Sequence, residues 1–150
     1  MKYFIFVILV LSCVGCTTPR GYSQWVKVLP TVDNIHGNTI ASVVSSVYSQ
    51  FHYYPDLVDE WGVPEYEGRL GYMGDCEDFS LLVASHLKVL GIPTQLVVLV
   101  RSSPNWKSNK VSTSRHAMLL LPDGRYVDNH HSMPFSDLGV YRVEWISEVL

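Results

Sequence analysis

Three residues of this 150-residue chain are typed and spaced for nucleophilic chemistry: Cys76, His116 and Asp128. Cys76 lies in the block Gly74-Asp75-Cys76-Glu77-Asp78-Phe79, immediately ahead of apolar residues at helical intervals, so its thiol belongs to the first turn of a helix. Unpaired backbone N–H groups and the positive end of the helix dipole favour a thiolate at such a position. A thiolate that attacks an amide needs a base to take and return a proton, and the base needs a group that fixes its tautomer. His116 and Asp128 can supply the two roles.

Whether these two meet depends on a hairpin. Pro122-Asp123-Gly124 suits a three-residue loop, a type I turn followed by glycine in the left-handed region. That loop pairs Leu121 with Arg125 and therefore His116 with His130, which leaves Asp128 on the face of His116 and diagonally adjacent to it. A two-residue loop would send the two side chains to opposite faces.

The elements that must hold these residues follow from periodicity. Ile40, Val43, Val44, Val47 and Phe51 mark a helix over 38–51 with Asn38 available as its N-cap. Phe79, Leu82, Val83, Leu87 and Leu90 mark a second over 75–90, stopped by Gly91 and Pro93. Strands are predicted over 94–101, 115–121, 125–129 and 140–146, with 102–114, which contains Trp106, read as a polar loop. Helices followed by an antiparallel sheet make an α+β domain. The stretch 52–73, rich in Tyr, Trp, Gly and Pro, is too long and aromatic for a plain linker and is expected to line the site.

Trp61-Gly62, the six-residue block around Cys76, the later His116 and the pair Asp128-Asn129 together resemble the bacterial transglutaminase-like cysteine proteinases, a group that includes a biofilm-adhesin protease. The resemblance runs from about residue 51 to residue 129. It implies a papain-like, transglutaminase-like α+β core with the nucleophile at a helix N-terminus packed on an antiparallel sheet, a Cys76-His116-Asp128 triad, and hydrolysis of a peptide bond in an exported protein. It also implies calcium bound by the acidic residues flanking the cysteine, here Asp75 and Glu77, with Asp78 as a neighbour. Three carboxylates beside a thiol push its pKa up, and a hard cation on oxygen ligands would offset that field. The oxyanion of an acyl transfer would take the Cys76 N–H as first donor and Tyr72 as second, while Trp61 would shield the ion pair from water. The chain is short for this group, so adhesin cleavage is one candidate activity among several.

The first 16 residues read as a signal peptide: Lys2, an apolar run, then small residues. The run falls short of the roughly 20 apolar residues a spanning helix needs. Val14-Gly15-Cys16 resembles a lipobox with Cys16 as the lipidated residue, and Leu11-Ser12-Cys13 is a second match. Residues 17–30 are then expected to form a tether and 31–150 the peptidase domain, and Thr17 in place of Asp after Cys16, by resemblance to enterobacterial lipoproteins, implies an outer-membrane lipoprotein facing the periplasm. Cys76 becomes the lone thiol of the mature domain, a liability in an oxidising compartment unless it is buried or used.

A net charge of -3, with 11 Lys and Arg scattered along the chain, leaves no basic footprint for nucleic acid. The partners expected are a protein substrate in the envelope and the membrane through the lipid. Competing functions are peptidoglycan stem-peptide hydrolysis, although the related cell-wall peptidases follow Asp-Cys with Ser-Gly where this chain has Glu77-Asp78, acyl transfer in place of hydrolysis, and a non-catalytic calcium-binding module of the same fold. Plainer roles compete residue by residue. Cys76 could be a buried small hydrophobe, Asp75 and Asp78 a capping pair, and His86, His130 and His131 structural or solvent-facing.

Overall fold

The computed structural model describes residues 37–55, 61–105 and 110–150. The signal peptide and tether, Cys13, Cys16 and Trp106 lie outside the described residues. Helix α1 spans Ile40–Gln50 and buries Val43, Val44 and Val47. Its N-cap is Thr39, not Asn38. The Ser42 amide donates to Thr39 Oγ1 at 3.2 Å and the Thr39 amide to Ser42 Oγ at 3.0 Å, a reciprocal pair that satisfies two orphan donors.

The chain leaves α1 directly into β1 (Phe51–Tyr53), which pairs in parallel with β2 (Tyr72–Gly74). This two-stranded ribbon was not anticipated, because three-residue strands are too short to show a period. It carries the chain from the end of α1 to the start of α2 (Cys76–Val89). The C-terminus of α2 is a Schellman motif, with Ile92 N–H on Leu87 O at 2.9 Å and Gly91 N–H on Lys88 O at 2.9 Å. Gly91, at φ 69, takes the left-handed residue that the motif needs.

The main sheet is antiparallel, in the order β5 (Tyr126–Val127), β4 (Lys110–Leu120), β3 (Gln95–Asn105), β6 (Arg142–Val149). The polar segment expected to be a loop is largely strand. β3 and β4 continue as a paired ribbon out to Asn105 and Lys110, well past the core. Backbone pairing sustains them there, so no apolar alternation was needed.

α2 lies between α1 and the sheet and is buried on more than one side, Leu81, Ala84 and Ser85 joining the expected Phe79, Leu82, Val83 and Leu87. The principal core joins this helix to Leu96, Val98, Leu119 and Leu121 on the inner face of the sheet. Burying Phe79, whose ring meets Phe51 edge-on at 5.1 Å, contributes about 1.5–3 kcal/mol. A smaller core of Val97, Leu99 and Met118 occupies the outer face, where the segment between β5 and β6 folds back to cover it with Phe135, Leu138 and Tyr141. Among the described residues no helix is long and apolar enough to cross a membrane.

Candidate active site

The first turn of α2 is built from the acidic block. Asp75 is the N-cap, its carboxylate accepting from the Glu77 amide at 3.3 Å, and Asp78 closes the box by accepting from the Asp75 amide at 3.2 Å. The capping pair is therefore real. Asp78 also accepts from Gly62 N–H at 3.2 Å, tying the Trp61-Gly62 segment to the cysteine turn. Gly74 is required for a steric reason: a Cβ at this position would run into the Asp78 carboxyl group.

Cys76 is half-buried as a free thiol. Its S–H donates to Glu77 Oε2 at 3.2 Å, and its sulfur accepts the Ala117 N–H at 3.3 Å. The second bond has a topological cause. β5 stops at Val127, opposite Leu119, so the next outward amide of β4, that of Ala117, has no strand partner among the described residues and turns to sulfur. The thiol thus sits against the peptide bond that joins His116 to Ala117.

Burial, the Glu77 charge and then the Asp75 charge push the Cys76 thiol far above its ordinary value, with the Ala117 N–H opposing them. The helix N-terminus, worth about 0.3–1 kcal/mol, does not prevail over removal from water beside two carboxylates. The upward push expected from the acidic flanks is thus joined by burial, and both oppose the thiolate that helix position favours.

His116 and Asp128 meet as the hairpin register required. Leu121 N–H bonds Arg125 O at 2.8 Å and Leu119 pairs with Val127, the three-residue-loop register, with Gly124 at φ 83. His116 Nε2 lies 2.9 Å from Asp128 Oδ2, with both side chains almost fully buried. Asp128 is held by more than this. Its Oδ1 accepts the backbone N–H groups of His130 at 3.1 Å and His131 at 3.0 Å, and lies 2.7 Å from His131 Nδ1. Burial would raise the Asp128 carboxyl, but its hydrogen bonds with His116 and His131 outweigh burial and leave it below the ordinary carboxylate value. The His130 ring lies 4.9 Å from that of His116.

His131 and the two amides were missed as partners of Asp128. The signal was present, since an aspartate at the end of a short strand readily accepts amides two and three residues on. Tyr53, in the aromatic stretch expected to line the site, pairs with Gly74 at the acidic turn. Its hydroxyl is pushed above its ordinary value by partial burial and then by Asp75, Cys76 and Glu77.

Trp61 and Tyr72 both belong to the principal core. The Tyr72 ring packs edge-on against Tyr66 at 5.1 Å, and its hydroxyl is buried with no hydrogen-bond partner among the described residues. The aromatic stretch is divided: Trp61 and Tyr72 face inward, while Tyr53, Tyr54 and Tyr66 are exposed.

Asp75, Cys76 and Glu77 bring one potential ligand atom each within 4.8 Å of one another. Two carboxylates suit a hard cation, but calcium takes about 6–8 oxygens and sulfur is not a preferred donor. Asp75 and Glu77 would therefore need backbone carbonyls or water to complete a calcium shell.

A cavity of about 450 Å³ opens on the outer face of the sheet, with His116 and Asp128 in its wall together with Met118, Phe135, Leu138 and Tyr141. Among the described residues Cys76 does not line it. No family model, curated protein or solved structure matches the chain.

Proposed function

We propose that this protein is a cysteine peptidase of transglutaminase-like type, acting on a peptide bond of a cell-envelope or secreted protein. The observation that carries the reading is the pair His116 Nε2 and Asp128 Oδ2 at 2.9 Å, buried, with the Cys76 sulfur bonded to the amide that follows His116. Asp128 fixes the imidazole by its Nε2 side, which leaves Nδ1 to exchange the proton of the reaction.

In this reading burial and the flanking carboxylates disfavour prior ionisation of Cys76, so the proton leaves during attack. The sulfur of Cys76 bonds to the carbonyl carbon while its proton passes to His116 Nδ1. The carbon–nitrogen bond then breaks, the amine departing with that proton and a thioester remaining on Cys76. Water attacks the thioester, His116 takes its proton and returns one to sulfur, and the acid is released. Donors for the oxyanion come first from the start of α2, where helical geometry gives the Cys76 N–H no intrahelical acceptor.

In this reading Asp75 and Glu77 would hold calcium, whose charge would offset the carboxylates that disfavour ionisation of Cys76. The N-terminal lipid on Cys16 would keep the domain at the envelope, close to protein substrates.

The test is incubation of the purified protein, with and without calcium, against envelope proteins and against purified peptidoglycan. New protein fragments, absent with Cys76→Ala, are expected. Muropeptides without protein fragments would assign the thiol to cell-wall hydrolysis, and no product from either would remove the enzyme reading.

A further inference from the structure

The cavity on the outer face of the sheet has the imidazole of the candidate site in its wall but not the thiol. This asymmetry has a chemical meaning if His116 and Cys76 act as a pair. The carbonyl carbon of a bound peptide must lie over the sulfur, whereas the leaving nitrogen must lie where the imidazole can give it a proton. A cavity walled by the imidazole alone is placed for the part of the substrate that departs with the amine.

Its size and lining then specify what it takes. A volume of about 450 Å³ lies in the range of small-ligand pockets and exceeds the needs of one alanine or glycine side chain. Met118, Phe135, Leu138 and Tyr141 give it apolar walls, three of them contributed by the segment that folds back between β5 and β6. Among the described residues no lysine or arginine lines it; the charged and titratable groups in its wall are Asp128 and Asp137 beside the imidazoles of His116, His130 and His131, and the two carboxylates disfavour entry of an acidic side chain. The Asp137 carboxylate is turned to its own loop, accepting the Gly139 N–H at 2.8 Å, which leaves the apolar wall as the principal contact.

We infer that this cavity is the specificity pocket for the leaving-group side of the cleaved bond, and that it selects a large apolar side chain such as Leu, Met or Phe in the residue immediately after the cut. The inference rests on the peptidase reading, and it adds which side of the scissile bond is recognised and by what chemistry. The 132–141 segment becomes a specificity loop, because it supplies Phe135, Leu138 and Tyr141, most of the apolar wall of the cavity.

The test is digestion of a peptide library of mixed sequence by the full chain, with the residues on both sides of every cut read by mass spectrometry. Leu, Met and Phe are expected to be enriched roughly tenfold after the cut over Gly, with Asp and Glu depleted. Val140, largely exposed at the cavity wall, can be enlarged without disturbing the core. Val140→Trp is expected to erase most of that enrichment and shift the cuts toward peptides with Gly or Ala after the scissile bond. Cuts with no preference on the leaving side, or a Val140→Trp profile identical to wild type, would overturn the pocket assignment and leave the peptidase reading standing. No cuts with the wild-type protein would overturn both.

Discussion

His116 and Asp128 are joined by a buried hydrogen bond of 2.9 Å between Nε2 and Oδ2, and the same carboxylate holds the loop that follows it through the amides of His130 and His131. One side chain therefore does two jobs, fixing an imidazole and closing a turn. Asp128→Asn keeps the shape but presents an amide where a carboxylate accepted. Peptide hydrolysis is expected to fall by roughly a hundred- to ten-thousand-fold in kcat/KM, as measured with a cleaved peptide once one is identified.

The same residue makes the fold sensitive to acid. Asp128 is pulled upward by burial but held below its ordinary carboxylate value by His116 and His131. A carboxyl group lower in the folded chain than in the unfolded one stabilises the fold above its unfolded value, and that contribution is lost as pH falls through the folded value. Melting curves of wild type and Asp128→Asn should differ most above about pH 4 and converge below it. A gap in Tm that widens on acidification would contradict this.

The resting thiol yields a third expectation. With burial, Glu77 and Asp75 all raising it, Cys76 should react slowly with iodoacetamide in calcium-free buffer near neutral pH, more slowly than in the urea-unfolded chain. Glu77→Gln removes the largest opposing charge and should accelerate the reaction. Equal rates for the wild-type folded and unfolded forms would show that the thiol is not perturbed.

Gly74 is constrained by its neighbour, since a Cβ there collides with the Asp78 carboxyl group that caps α2 and ties down Gly62. Gly74→Ala must displace that cap and should cost about 1–3 kcal/mol in urea unfolding. Asp78→Ala, which loses the cap without the clash, should cost about 1 kcal/mol.

Calcium bound by Asp75 and Glu77 would raise the melting temperature through preferential binding to the folded chain. Millimolar calcium is expected to give such a rise, with chelator reversing it and Glu77→Gln abolishing it. Unchanged melting and unchanged turnover in excess chelator would take the metal out of the account.

The parts of this protein that the sequence made legible share a local cause. α2 carries its own start and stop, an acidic cap and Gly91, and the hairpin register follows from Pro122-Asp123-Gly124, so the meeting of His116 and Asp128 is legible in the sequence alone. What stayed hidden depends on tertiary context. The outer reach of β3 and β4 has no apolar face to read, β1 and β2 are too short to show a period, and Thr39 displaced Asn38 as the cap only because Ser42 stands ready to answer it. The upward push on Cys76 was legible in part: the acidic flanks announced it, while burial, its largest cause, depends on tertiary packing.

The most direct measurement is the rate at which a peptide bearing a thiol-reactive electrophile modifies Cys76, followed by mass spectrometry in wild type, His116→Ala and the urea-unfolded chain. A small reagent reads only how much thiolate exists, whereas a peptide electrophile also reads peptide binding at the thiol and the help of the proposed base. The wild-type rate is expected to exceed both others at least roughly tenfold, the lower end of a positioned base's contribution. A wild-type rate no greater than that of the unfolded chain, and unaffected by His116→Ala, would contradict the assignment of Cys76 as a nucleophile served by His116.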